Sequence, residues 1–318
     1  MTNRAILIAG PTASGKSGLA IEVAERLEAL GGATIINADS MQVYRELRVL
    51  TARPSPGDEA RAPHRLYGVM PAAERSSAMS WRTLALAELH AAWDAGRIPL
   101  VVGGTGLYFK ALVEGLAPVP EIPPDVRDAA RERLTQLGGK AFHDELRRRD
   151  PETASRLDPG DSQRLVRAWE VLEASGIALS EWQARAPEGE RFPGERLAIK
   201  LDVPRQPLYA RIDRRFAAMV EEGAANEVAA LDALGLDPSL PAMKAVGVPE
   251  FRCHLRGEAT LEEAVQAGQT ASRRLAKRQM TWLRHQAADW ATLDAQHSES
   301  LCDRIFPNIR QFLLTGLK

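Results

Sequence analysis

The fold is decided near the amino terminus by the stretch Ala5-Ile-Leu-Ile-Ala-Gly10-Pro-Thr-Ala-Ser-Gly15-Lys16-Ser17. Its first five residues form a continuous apolar run that ends at a glycine, which predicts a buried parallel strand. Two glycines, a lysine and a hydroxyl residue follow at the spacing of a phosphate loop, and residues 17–30 carry leucine and valine at helical spacing. Backbone N–H groups and a helix N-terminus in this arrangement hold phosphate. The stretch therefore predicts a phosphate-binding α/β core.

Short apolar runs alternate with helical patterns along the next part of the chain. Residues 34–37, 99–102 and 197–201 predict strands. Residues 80–95 and 105–114 predict helices with Ser80 and Thr105 as N-caps. Strands that alternate with helices indicate a parallel sheet with right-handed crossovers. We therefore expect an α/β protein whose core is a parallel sheet like that of the P-loop NTPases.

A proline-rich run at 115–124 interrupts this pattern. Beyond it, segments rich in Arg and Glu predict three helices, at 125–137, 140–149 and 161–175. A second polar break at 187–195 precedes the return of the chain to the sheet. We expect residues 119–190 to form an inserted all-helical domain. Residues 1–118 and 191–318 should form the P-loop core with the C-terminal helices.

Composition limits the classes of partner and compartment. The 318 residues carry a net charge of −1, so a nucleic-acid partner requires a local basic patch. Cys253 and Cys302 show no pairing pattern, which predicts reduced thiols in a cytosolic protein. The apolar run at 5–9 is too short for a signal peptide, and no run approaches the ~20 apolar residues of a membrane span. We expect a cytoplasmic, monomeric protein with no membrane segment.

A basic patch is predicted on a long helix at about 261–286. Residues 270–286 contain five cations and no acid: Arg273, Arg274, Lys277, Arg278 and Arg284. At helical spacing these cations lie apart from an apolar stripe formed by Ala276, Met280 and Leu283. A helix with one apolar and one uniformly basic face suits RNA phosphates, and a solvated surface is the alternative interpretation.

Asp39 directly follows the second predicted strand. The carboxyl ends of strands are where open α/β sheets bind their ligands. Phosphate-loop ATPases hold Mg²⁺ with an aspartate after another apolar strand, but here that strand runs into Gly103-Gly-Thr-Gly106, which disfavours an ATP-driven motor. The pattern favours a group-transfer enzyme that uses Asp39, and a simple turn aspartate is the alternative. Arg211 and Arg215 lie four residues apart, so a helix puts both on one face.

Six motifs occur in one order along the chain: Gly10-Pro-Thr-Ala-Ser-Gly-Lys-Ser17, Asn37-Ala-Asp-Ser-Met-Gln-Val-Tyr44, Thr51-Ala-Arg-Pro54, Gly103-Gly-Thr-Gly-Leu-Tyr108, Asp161-Ser-Gln-Arg-Leu-Val-Arg167 and Ala276-Lys-Arg-Gln-Met-Thr-Trp-Leu-Arg284. Together they resemble the bacterial tRNA dimethylallyltransferases over nearly the whole chain. The resemblance implies transfer of a dimethylallyl group from dimethylallyl diphosphate to the exocyclic N6 amine of the adenosine 3′ of the anticodon, with release of diphosphate. The partners it implies are the tRNA anticodon loop and the prenyl donor.

The resemblance also assigns roles. Asp39 becomes the general base, Thr105 lies near the reacting adenosine, and Arg215 binds the diphosphate. The diphosphate lies on the loop formed by Gly10, Pro11, Thr12, Ala13, Ser14, Gly15, Lys16 and Ser17, and the Ser17 hydroxyl is the expected protein ligand of the cofactor Mg²⁺. The expected tRNA contacts are Asp39, Ser40, Met41, Gln42, Thr105, Arg127, Gln163, Arg164, Leu165, Val166, Arg167, Lys277, Arg278, Gln279 and Arg284.

Two alternatives stay open on the residues alone. A small-molecule or nucleotide kinase has the same loop and acid, with Arg164 and Arg167 clamping ATP, although it has no use for a basic helix. A non-catalytic RNA-binding or nucleotide-sensing protein is the third class. The sequence departs from the family pattern at Leu50, Arg53 and Val248-Pro249, which leaves the role of residues 243–249 open.

Overall fold

The structure is a computed structural model that describes residues 3–185, 191–295 and 300–315. Contacts divide the chain into two compact units. The first, which we call the core unit, comprises Met1–Leu112 and Phe192–Lys318, and the second, the inserted unit, comprises Val113–Arg191. The sequence placed the insertion at 119–190.

The core unit is built on strands β1 (Arg4–Ala9), β2 (Ala33–Asn37), β3 (His64–Arg65), β4 (Ile98–Gly103), β5 (Glu195–Asp202) and β6 (Ala291–Asp294). They form one sheet in the order β3-β2-β4-β1-β5-β6, and each of these neighbouring pairs is parallel. The predicted α/β class and its four strands are confirmed. Strands β3 and β6 are two and four residues long, too short to show a pattern in the sequence.

The helices of the described residues are, in chain order, α1 (Lys16–Arg26), α2 (Pro56–Arg61), α3 (Ala78–Asp94), α4 (Gly106–Glu114), α5 (Pro124–Arg149), α6 (Pro151–Ser155), α7 (Ser162–Ser175), α8 (Leu179–Ala184), α9 (Arg205–Glu221), α10 (Ala224–Asp232), α11 (Val248–Leu255), α12 (Leu261–Gln286) and α13 (Leu301–Leu314). Of these, α5 to α8 belong to the inserted unit. Helix α12 has the predicted bounds. Within the described residues, no helix combines the length and the apolar character needed to cross a membrane.

The centre of the sheet is largely apolar, with Thr34 and Asn37 of β2 as buried polar exceptions. Residues 5–9 of β1 and all of β2 are buried, and α1 and α13 pack against them through residues such as Val23 and Ile309. A strand that is buried on both faces can be a continuous run of Ile, Leu and Ala. The β1 strand lies between β4 and β5, so the loop that follows it emerges from the middle of the sheet.

Two predicted helix ends were wrong. Helix α1 ends at Arg26, and a 3₁₀ turn over Glu28–Leu30 follows, because the chain turns at two glycines with positive φ and leaves Leu30 exposed. Helix α3 is capped by Ser77, whose hydroxyl accepts from the Ser80 N–H at 3.0 Å. Ser80 is instead the third residue of this reciprocal capping box.

The regular elements of the inserted unit, within its described residues, are all helices. Its helix α5 is interrupted at Gly138, where φ is 72° and ψ is 162°; this break falls between the two helices predicted at 125–137 and 140–149. Phe142 and Leu146 of α5 pack with Leu165 and Ala168 of α7 in a separate apolar core. The short helices α6 and α8 were not predicted, since five or six residues give no periodicity.

Candidate active site

The phosphate loop connects the central strand β1 to α1. Ala13 and Gly15 have positive φ angles of 61° and 92°, which curl the backbone, and the Lys16 Nζ donates to the Pro11 carbonyl at 3.3 Å across the loop. The Ser14 hydroxyl is enclosed and has no hydrogen-bond partner among the described residues. The curled backbone and the Lys16 ammonium group nevertheless give the loop the shape and the charge of an anion site.

Three charged groups influence one another at this loop. Burial lowers the pKa of Lys16 to about 8, the negative charge of Asp39 opposes that shift, and the positive charge of Arg215 adds to it. Burial also lowers the pKa of Arg215, again opposed by Asp39. The structure thus brings together the three residues that the sequence assigned to base, phosphate and leaving-group roles. A site with two poorly solvated cations strongly favours a polyanionic ligand.

Asp39 is held by a buried neighbour, Asn37, which the sequence analysis missed. The Asn37 Oδ1 accepts from the Asp39 N–H at 2.8 Å, and its Nδ2 donates to the carbonyls of Asp39 and Leu66, both at 3.0 Å. The Asp39 Oδ1 accepts from the Met41 N–H at 2.9 Å. No hydrogen bond from a described residue reaches the Asp39 Oδ2, so this oxygen is available to a substrate.

Thr105 joins the loop after β4 to the Asp39 segment. Its Oγ1 accepts from the Ser40 N–H at 3.0 Å, and its own N–H donates to the Ala38 carbonyl at 3.2 Å. The preceding Gly103 makes this approach possible, because a Cβ there would lie 2.0 Å from the Ala38 oxygen. The Thr105 hydroxyl therefore supports the Asp39 segment, while α4 starts from the backbone carbonyl of Thr105, which accepts from Tyr108.

Thr12 in the phosphate loop is contacted by two helices. Arg215 of α9 donates from Nη2 to the Thr12 hydroxyl. The Thr12 N–H donates to the Gln279 Oε1 of α12 at 2.8 Å. These contacts place the predicted diphosphate ligand Arg215 at the loop and tie both helices to it.

Gln279 faces the interior, which the sequence analysis did not expect of a tRNA contact. Its side chain is largely buried, and a Cβ on Gly104 would lie 2.3 Å from its Nε2. The Gln279 Oε1 is committed to the phosphate loop, and the RNA contact expected at this residue stays a prediction. The sequence could have indicated this inward orientation, since Gln279 lies three residues after Ala276 and four before Leu283, on the apolar face of the helix.

The outer face of α12 is basic. Lys277, Arg278 and Arg284 are exposed and form no ion pair with a described residue, so they are available to an anionic partner. Arg273 is different, because it donates to Asp213 of α9 at 2.5 Å. The sequence has no acid within 270–286, yet α9 supplies one, and the interpretation of five uncompensated cations was wrong for Arg273.

The predicted contacts near Asp39 are partly committed to their own loop. The Gln42 Nε2 donates to the carbonyls of Thr51 and Ala52 at 2.8 and 2.9 Å. The Ser40 N–H donates to the Thr105 hydroxyl, and both Ser40 and Met41 are half-buried. Gln42 therefore shapes the turn at Ala52, which has a positive φ of 51°.

In the inserted unit, α7 exposes Gln163 and Arg164, while Arg167 is half-buried. Both arginines lie near an acid three residues away on the same helix. Leu165 is fully buried in the apolar core of this unit and Val166 packs partly against it. The Leu165 side chain therefore builds the core, and the RNA contact expected at this position stays a prediction. Arg127 is half-buried on α5.

The departures from the family pattern meet in space. A Cβ on Gly247 would lie 2.5 Å from the Leu50 Cδ2, and Val248 is fully buried. A buried valine offers no hydrogen-bonding group to RNA. The segment around 243–249 therefore packs the interior at this position.

Magnesium could be held only with help from a ligand. Across the described ranges, no cluster of three His, Cys, Asp or Glu residues could hold a metal ion. The Ser17 hydroxyl is exposed in the first turn of α1, beside the loop. Mg²⁺ keeps several waters and often uses one or two protein ligands with substrate phosphates. These residues fit an ion that arrives with a diphosphate.

Comparisons with known proteins agree with this geometry. The family model described as IPP transferase matches residues 42–286, and the model described as isopentenyl transferase matches residues 3–70. A tRNA dimethylallyltransferase of Rhodospirillum centenum is 55% identical over 90% of each chain, and one of Paramagnetospirillum magneticum is 52% identical over 98% of each. The crystal structure of the full-length tRNA isopentenylpyrophosphate transferase of Bacillus halodurans superposes with a TM-score of 0.69 at 31% identity, covering 98% of this chain and 95% of that one. This chain belongs to the IPP transferase family, whose members include the tRNA dimethylallyltransferases.

Proposed function

We propose that this protein transfers a dimethylallyl group from dimethylallyl diphosphate to the exocyclic N6 amine of the adenosine 3′ of the anticodon in tRNA. The observation that carries the proposal is the fixed carboxylate of Asp39 within electrostatic reach of Lys16 and Arg215. A base beside a phosphate site is what an amine nucleophile and a diphosphate leaving group require together.

The donor side of the reaction is a displacement at an allylic carbon. As the C–O bond breaks, its electron pair stays with the diphosphate, which gains negative charge. Lys16, Arg215 and the N–H groups of the loop stabilise that charge more in the transition state than in the ground state. The Ser17 hydroxyl would hold Mg²⁺, which when bound would supply further positive charge to the diphosphate.

The acceptor side needs a base. The adenine N6 lone pair is delocalised into the ring, so the amine is a weak nucleophile until it loses a proton. As the new N–C bond forms, that proton passes to the Asp39 Oδ2, the oxygen with no hydrogen bond from the described residues. General-base catalysis of this kind contributes about 10²–10⁴-fold. An unpaired anticodon-loop base leaves its stack at modest cost.

The proposed RNA contacts lie on two elements. On the core unit, the exposed cations Lys277, Arg278 and Arg284 of α12 bind backbone phosphates. On the inserted unit, Gln163 and Arg164 of α7 add a second RNA-binding surface. We also propose that the enzyme works as a monomer in the cytoplasm, where its tRNA substrates are.

The test is transfer of labelled dimethylallyl diphosphate to unmodified tRNA with Mg²⁺. We expect label in tRNA with the wild type and a kcat about 10²–10⁴-fold lower in Asp39→Asn, with tRNA affinity within about twofold, because only the base is lost. The matched control is Asp289→Asn, which removes an exposed carboxylate of the core unit and should leave kcat unchanged.

Two results would refute the proposal. Phosphate transfer from ATP without any label in tRNA would identify a kinase. A wild-type protein that binds tRNA but transfers no label to it would be a non-catalytic RNA-binding protein.

A further inference from the structure

Arg211 of α9 has no partner for one edge of its guanidinium group. Its Nε and Nη2 atoms have essentially no access to solvent, and neither meets an acceptor among the described residues. Buried polar groups are nearly always hydrogen-bonded, and a buried charge without a partner is strongly unfavourable. The two atoms form one edge of the planar group, the edge that makes two parallel hydrogen bonds to a carboxylate or a phosphate. This edge therefore lacks the pair of acceptors that a carboxylate or a phosphate group supplies.

The position of Arg211 relates that anion to the phosphate loop. Arg211 precedes Arg215 by four residues on α9, so the two side chains lie on one helix face about 5.4 Å apart along the axis. Arg215 reaches the loop at Thr12. Arg211 therefore lies one helical turn from a residue already in contact with the loop.

Arg211 also lines a cavity of about 480 Å³, together with Val203, Pro204, Pro207, Ala210, Arg214 and Ala295. Its wall residue Val203 belongs to an apolar cluster with Leu208 and Ile212, and Ala13 of the phosphate loop packs against the same cluster. The cavity and the loop thus share one apolar support.

We propose that Arg211 binds the diphosphate group of the prenyl donor as a second arginine beside Arg215, a proposal that rests on the proposed function. Lys16 and Arg215 hold the group at the loop, and Arg211 contributes two parallel hydrogen bonds to its oxygens. We favour the diphosphate over an RNA backbone because Arg211 lies one helical turn from Arg215, which contacts the phosphate loop at Thr12. Arg214 lines the same cavity with an exposed side chain and provides a matched control.

The test is calorimetric titration with inorganic diphosphate and Mg²⁺, alongside a separate measurement of tRNA affinity. We expect Arg211→Gln to weaken diphosphate binding at least about tenfold, because it removes two hydrogen bonds to a charged ligand. Arg214→Gln should bind diphosphate within about twofold of the wild type, since it keeps the enclosed edge. The affinity of Arg211→Gln for tRNA should be unchanged.

Arg211→Lys keeps the charge and covers the case in which the glutamine variant does not fold. An ammonium group cannot make the two parallel bonds, so diphosphate binding should still weaken several-fold. Wild-type diphosphate affinity in either folded variant, or a loss of tRNA affinity in place of diphosphate affinity, overturns the assignment of Arg211. Failure of the wild type to label tRNA would overturn the proposed function while leaving the diphosphate titration to judge Arg211.

Discussion

Asn37 is a neutral side chain that determines where the proposed base lies. Its side-chain oxygen accepts from the Asp39 N–H, and its side-chain nitrogen donates to the backbone carbonyls of Asp39 and Leu66. The backbone carbonyl of Asn37 accepts from the Trp81 Nε1 at 2.8 Å. Each of these groups is shielded from water, so losing a partner costs about 1–3 kcal/mol. Asn37 is therefore a positioning residue for Asp39.

Replacement of this asparagine tests that role. We expect Asn37→Ala to lower kcat about 10²-fold with little change in KM for either substrate, because a small displacement of a catalytic group has effects of this size. A structural role alone would lower stability and the fraction of active protein but leave the kcat of the folded fraction unchanged. Single-turnover kinetics on protein corrected for active-site content separate the two outcomes.

Lys16 should make donor binding depend on pH. Because the pKa of its ammonium group is lowered to about 8, the group is charged below that pH and mostly neutral at pH 9. Diphosphate affinity should therefore be constant below about pH 7 and fall up to about tenfold per unit above pH 8, and binding near pH 8 should take up a proton. Titrations in buffers of different ionisation enthalpy measure that uptake. Lys16→Arg is the control, since its guanidinium does not titrate in this range; an affinity of the wild type that stays flat to pH 9.5 contradicts the assignment.

The charged residues of the site could be predicted from the sequence, and its amides could not. Lys16, Asp39 and Arg215 stand out because each is a charged residue suited to a proposed role and lies at a recognisable position. Asn37 and Gln279 look like ordinary polar residues until their partners are known, and those partners come from other elements. An amide reveals its role through geometry, which a sequence does not contain.

Helix α12 has two faces with different functions. Its inner face carries Gln279 against the phosphate loop, and Trp282 against Gly106, where a Cβ would lie 2.1 Å from the ring. Its outer face carries the exposed cations. The bounds of this helix could be predicted because it is long and strongly periodic, whereas β3, β6, α6 and α8 are too short for their neighbours in space to be inferred from a pattern.

The basic face should control the salt dependence of RNA binding. Replacing Lys277 and Arg278 together by Gln should weaken tRNA binding and flatten the plot of log K against log salt by about 0.7 per lost phosphate contact. The control is Arg310→Gln, which removes an exposed cation from α13. Equal slopes for the double variant and the control would show that the outer face of α12 is only solvated.

On the scale of the whole molecule, the two units have separate apolar cores. Phe142 and Leu165 belong to the core of the inserted unit, whereas the core unit encloses its own phenylalanines, among them Phe251 stacked on Phe216. The sequence could indicate the division, since a proline-rich run and a change from alternating strands to helices mark it. The net charge of −1 gives no indication of the basic faces, which become apparent only when the cations are arranged on helices.

Separate cores predict separate losses. Phe142→Ala should destabilise the inserted unit by about 3–5 kcal/mol and reduce tRNA affinity, with diphosphate binding retained. Phe251→Ala, a substitution of equal size in the core unit, should weaken diphosphate binding instead, because Phe251 stacks on the neighbour of Arg215. Hydrogen exchange and the two binding assays check both variants. A parallel loss of diphosphate and tRNA binding in Phe142→Ala would contradict the independence of the two cores.

The hydrogen bond between the Thr12 N–H and Gln279 has a thermodynamic consequence. It joins the loop proposed to bind the donor to the helix proposed to bind RNA. A ligand that binds one of these elements therefore changes the binding free energy at the other. Free energy depends only on the state reached, which makes this influence mutual. If bound RNA changes the affinity for the donor by some factor, bound donor changes the affinity for RNA by the same factor. The order in which the two substrates bind then depends on their concentrations and association rates. The cooperativity is a property of the complex that contains both substrates.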